Sequence, residues 1–106
     1  MKLKKISDLV HELLINDPAC RNSDDLLYWR IAQIIGKNNG FEVSQMSAYE
    51  LLFRRKEYGL PSPEGVGRAR RKVQELNPEL RADDTVEAFR EVLEEEYRAY
   101  ARAYTV

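Results

Sequence analysis

Apolar residues recur at three- and four-residue intervals along most of this chain, and the pattern breaks at proline, glycine and short polar residues into five helical segments. Leu9, Val10, Leu13 and Leu14 share a face of the first. Ser7 is placed to cap it and Asn16-Asp17-Pro18 to close it, since proline disfavours helical geometry in the residue before it. The second follows Asn22-Ser23, carries Leu27, Ile31, Ile34 and Ile35, and stops at Gly36-Lys37-Asn38-Asn39-Gly40. Phe41-Glu42-Val43 alternates but is too short for a strand. A capping box, Ser47-x-x-Glu50, opens the third segment, which runs through Leu51, Leu52 and Tyr58 to a left-handed stop at Gly59.

Ser62-Pro63 starts the fourth segment, since proline at the first helical position lacks only an N–H that would be unpaired there. At about 100° per residue, Val66, Ala69, Val73 and Leu76 form a stripe centred near 320° with Val66 at zero. Glu64, Gly67, Arg68, Arg71, Gln74 and Glu75 then face outward. Asn77-Pro78 ends this helix. The fifth opens at Asp84-x-x-Glu87, read as a capping box, and keeps Val86, Phe89, Leu93, Tyr97, Tyr100 and Tyr104 on one face. The expected fold is all-α: a compact bundle of about five helices in one domain, 1–106, containing a helix-turn-helix and a long C-terminal helix packed across it.

Composition narrows the class. With 106 residues, 43% hydrophobic and 33% charged, the chain has enough apolar material for one core and is not a disordered tail. No apolar run approaches the roughly 20 residues that cross a bilayer, and the start turns polar too early for a signal-peptide core, so a cytoplasmic protein is expected. Cys20 is the single cysteine, which excludes an internal disulfide and a thiolate metal cluster within one chain.

The net charge of −1 conceals segregation. Arg54 to Lys72 holds seven basic residues against Glu57 and Glu64, whereas Glu75 to Glu96 holds nine acidic residues against Arg81 and Arg90. In a DNA-binding helix-turn-helix the second helix enters the major groove, where Arg and Gln match guanine and adenine edges. Arg68, Arg71 and Gln74 are the candidates for the groove, and Arg54, Arg55 and Lys72, with Lys56, for the phosphate backbone. A plainer account exists. Glu64 precedes Arg68 by four residues and Arg71 precedes Glu75 by four, so both arginines have helical ion-pair partners. Arg54, Arg55 and Lys56 also complement the negative end of the preceding helix.

The runs Arg21-Asn22-Ser23-Asp24, Gly59-Leu60-Pro61-Ser62-Pro63-Glu64-Gly65-Val66-Gly67-Arg68-Ala69-Arg70-Arg71-Lys72-Val73-Gln74-Glu75 and Asn77-Pro78-Glu79-Leu80-Arg81 resemble small uncharacterised prophage proteins of Gram-positive bacteria, over about residues 20 to 102. The resemblance implies a phage or prophage origin and a helix-turn-helix, and it brings no reaction with it. Gly65, Gly67 and the stiff Pro-Ser-Pro turn depart from a common recognition helix.

Catalytic chemistry is thin. His11 is the one histidine and reads as structural; Cys20 has no neighbour that would activate it; Asp17, Asp24 and Asp25 lie where helix ends want acceptors. No zinc spacing or phosphate-binding glycine loop is present, so no enzyme, metal, cofactor or small-molecule substrate is expected. The leading expectation is a small phage-type DNA-binding or regulatory protein with double-stranded DNA as its partner. The alternative is a non-enzymatic interaction or assembly module, a phage inhibitor among its forms, that uses the acidic fifth helix. Glu94 and Arg98 on that helix are a well-oriented pair. Its Tyr97, Tyr100 and Tyr104 form a stripe that overhang would expose, inviting a homodimer.

Overall fold

In the computed structural model, which describes residues 5–104 with Tyr104 as backbone only, local capping chemistry sets most helix starts. α1 (Ile6–Asn16) is the exception: Lys5 holds the cap position and no side chain caps it, so Ser7 lies inside the first turn instead of before it. Ser23 Oγ accepts the Leu26 N–H at 3.1 Å and opens α2 (Asp24–Asn38). Ser47 and Glu50 close the expected capping box at α3 (Ala48–Phe53). Ser62 Oγ accepts the Gly65 N–H at 3.0 Å, with Pro63 as the first residue of α4 (Pro63–Leu76). α5 (Asp84–Tyr104) begins at Asp84 itself, and Glu87 reaches back to the N–H of Ala82, so Asp84 is not the cap. Among the described residues these are all the α-helices and there is no strand.

α2 runs through Gly36 and Lys37 before the chain turns. Gly36 is needed there, because a Cβ would collide with the side chain of Val43, itself buried against the core. α3 is shorter than its periodicity suggested. Arg55 donates Nη1–H to the Leu52 carbonyl at 2.7 Å, and the chain tightens into a 3-10 turn at Arg55–Tyr58. Gly59 ends that turn with φ of 71°, a left-handed conformation that glycine adopts without strain. Tyr58 folds back, donating its hydroxyl to Glu50 Oε2 at 2.6 Å and meeting the Phe41 ring edge-on at 4.7 Å.

α1, α2 and α4 pack on one another. Val10, Leu14, Cys20, Leu27, Ile31 and Val66 fill the space between them, fully enclosed, and Trp29 packs against this cluster. Helix, turn and helix follow in order from Ala48 to Leu76, yet α4 takes its packing from α1 and α2, and α3 has no buried residue. Tyr28 fastens the excursion between α2 and α4 by donating its hydroxyl to the Pro61 carbonyl at 2.9 Å.

Among the described residues, the bonds that tie α5 to the bundle come from its first two turns and the residue before it. Asn22 and Asp83 exchange two hydrogen bonds, of 3.1 and 2.9 Å, which fix the beginning of α5 beside the beginning of α2. From Glu91 to Ala103 every residue is exposed, so the helix runs past the bundle instead of across it. The radius of gyration, 15.4 Å, exceeds the roughly 13 Å of a compact chain of this length for the same reason.

Candidate functional site

The side of α4 that turns inward only partly coincides with the side its apolar residues mark. Val66, Arg70, Val73 and Gln74 are buried, whereas Leu76, expected on the packed stripe, is 71% exposed. The packed arc is therefore rotated by roughly 60° from the one that hydrophobicity alone gives. The cause is a polar bracket assembled from distant parts of the chain. Arg70 donates Nε–H to Asp24 Oδ1 at 2.8 Å and Nη2–H to Oδ2 at 3.1 Å, a bidentate pair joining α4 to the first turn of α2. Its Nη1–H goes to Gln74 Oε1 at 3.1 Å. Gln74 in turn donates to the carbonyls of Leu80, at 2.9 Å, and Arg21, at 3.4 Å.

Gln74 therefore does not face a groove. It is a buried connector whose amide is used up inside the protein, and the expectation that it reads a base is corrected. Arg90, from the second turn of α5, completes the bracket by donating to the Arg21 carbonyl at 3.1 Å, with Nη2 3.7 Å from Asp24. Burial, then the positive charge of Arg70, pulls the Arg90 guanidinium below the ordinary arginine value. Two cations thus share one carboxylate at the base of α5. Arg70 and Arg90 carried no periodic signal. The one local hint was the four-residue spacing of Arg70 and Gln74 beside the apolar stripe.

Outside this bracket, α4 and α5 diverge to leave an open cleft of about 1240 Å³. Arg68 and Arg71 line its α4 wall; Glu91, Glu94, Leu93 and Tyr97 line its α5 wall. Lys72 and Arg54 are exposed and Arg55 is half-buried, and all three lie outside the cleft. The anticipated pairs Glu64–Arg68, Arg71–Glu75 and Glu94–Arg98 do not close among the described residues. The expected phosphate contacts are partly occupied: Arg54 holds Glu57 at 2.7 Å, and Arg55 holds the Leu52 carbonyl at the end of α3. The basic residues thus form separate groups, and Arg68 and Arg71 of α4 look toward an acidic helix.

The stripe of α5 is open to solvent, with Phe89 63%, Leu93 47%, Tyr97 74% and Tyr100 63% exposed. The side chain of Tyr104 lies outside the described residues. Val86, Phe89 and Leu93 recur eleven residues later as Tyr97, Tyr100 and Tyr104, a period of about 3.67 that keeps the stripe nearly straight along the helix.

Elsewhere, burial and then the adjacent Asp17 carboxylate push the Cys20 thiol from 9.0 up to about 11. A group raised in the folded state stabilises it fully below the unfolded value and loses that contribution as pH rises through the folded one. Stability is expected to hold up to pH 9 and to fall between there and 11, aided by Tyr28, which burial shifts the same way. The native thiol should resist an aromatic disulfide near pH 8, reacting only on unfolding; rapid reaction of folded protein would contradict this. Among the described residues no three metal-ligating side chains cluster, and no helix is long and apolar enough to cross a membrane. No protein-family model, curated protein or solved structure matches the chain.

Proposed function

We propose that this chain is a non-enzymatic protein-interaction module whose contact surface is α5. The observation that carries the reading is the exposed stripe of Phe89, Leu93, Tyr97 and Tyr100 on a helix that outruns its own bundle. Contiguous apolar patches beyond a few hundred Å² are uncommon on chains that act alone, and aromatic residues are enriched where proteins meet. The flanking glutamates add charge selectivity for a partner with basic groups. The test is retention by the immobilised chain from an extract of cells that produce it. Wild type should hold at least one protein that a helical, folded Leu93→Glu/Tyr97→Glu variant loses. Equal retention by both, or none by either, rejects the reading.

A second reading, the small phage-type DNA-binding protein, keeps one favourable observation. Arg68, Arg71 and Lys72 are exposed and have no ion-pair partner among the described residues. With Gln74 turned inward, this reading becomes backbone contact without base recognition. Binding of mixed-sequence duplex at about 50 mM salt that weakens strongly by about 200 mM would support it. Absence of binding at the lower salt, or indifference to Arg68→Ala/Arg71→Ala, would reject it.

A further inference from the structure

We infer that the cleft between α4 and α5 is filled by α5 of a second copy of this chain, in a two-fold arrangement with the two α5 helices antiparallel. The inference rests on the reading of α5 as a contact surface and names its occupant. A two-fold interface must be self-complementary, so each copy has to carry both halves of every contact. The cleft meets that condition. Its α4 wall presents Arg68 and Arg71, its α5 wall presents Glu91 and Glu94, and none of the four has an ion-pair partner among the described residues. An incoming α5 would set its glutamates against the arginines of the other copy and receive the same in return, while Leu93 and Tyr97 of both copies meet in the middle.

Length agrees with this. α4 has 14 residues, and α5 beyond Arg90 also has 14 (91–104), so each free segment spans about 21 Å and matches the wall it would lie along. The exposed stripe amounts to on the order of 500 Å² per chain, given the size of aromatic side chains. Two copies bring roughly 1,000 Å² together, near the lower bound for a specific interface. The dimer is therefore reversible and dissociates on dilution.

Sedimentation velocity on the purified full chain tests the proposal. The expected result is a two-fold mass that falls to monomer on dilution and is lost in Leu93→Glu with helix content unchanged. Charge reversal gives the sharper experiment. Arg68→Glu/Arg71→Glu and Glu91→Arg/Glu94→Arg should each weaken self-association by about tenfold or more, and an equimolar mixture of the two should restore a heterodimer. Direction is read by disulfide crosslinking: Val92→Cys and Ala99→Cys, seven residues apart on one flank of the helix, should crosslink to each other and not to themselves. The buried Cys20 does not interfere. A chain that stays monomeric near 100 µM, far above a micromolar affinity, overturns the proposal. So does a dimer indifferent to both charge reversals, or one whose mixed variants fail to recover. A monomer whose α5-dependent capture of another protein persists overturns the second copy as occupant and leaves the contact surface standing; a monomer without such capture removes both.

Discussion

Replacing Asp24 with alanine is expected to lower the unfolding free energy by about 3–5 kcal/mol, the range seen when one partner of a buried charge pair is removed. The two ends of this pair are not equivalent. The Arg70 side chain is 9% exposed, whereas that of Asp24 is 47% exposed. Without Asp24, Arg70 keeps its charge in a site with almost no water and beside a second guanidinium, that of Arg90. Arg70→Ala, by contrast, leaves a carboxylate that water reaches and that Arg90 still approaches at 3.7 Å. The expected loss there is smaller, about 2 kcal/mol, much of it from the unpaired Gln74 amide. Removing both partners as Asp24→Ala/Arg70→Met should recover part of the loss, because the stranded charge is gone. Urea unfolding of the four proteins decides the matter. An Asp24→Ala loss below about 1 kcal/mol, or one smaller than that of Arg70→Ala, would show that the bracket does not hold α4 on α2.

The second large effect separates core from appendage. Leu27→Ala should lower stability by about 3 kcal/mol, since Leu27 is fully enclosed and its loss leaves a cavity in a close-packed site. Deleting residues 91–106 removes far more atoms and should change the stability of the remaining protein by less than about 1 kcal/mol at low concentration, because every residue from 91 to 103 is exposed in the single chain. Unfolding of the truncated protein would mean that α5 contributes to the core.

What the chain makes legible on its own is whatever is settled within a few residues. Ser23, the Ser47/Glu50 box, Ser62-Pro63 and Gly59 each satisfy backbone groups close by, so their types and spacing reveal them. The inward face of α4 was not legible, because Arg70 is drawn in by an aspartate 46 residues earlier and Gln74 by carbonyls of two separate turns. Periodicity counts a buried arginine as a surface residue, and the outward list inherited that error at Gln74. The early end of α3 likewise depends on Tyr58 returning to Glu50 and Phe41, contacts that cross the turn. The overhang of α5 was recognisable from its length; the cleft it forms with α4 was not, since it follows from the Asn22–Asp83 tie.

The placement of aromatic residues has an optical consequence. Trp29, the one tryptophan, packs against the cluster held by α1, α2 and α4, whereas Tyr97 and Tyr100 stand on the solvent-facing part of α5. Indole emission therefore reports whether the bundle is folded, and tyrosine absorbance responds separately to whatever covers the last helix. One unlabelled sample, followed at two wavelengths during dilution, can distinguish dissociation from unfolding.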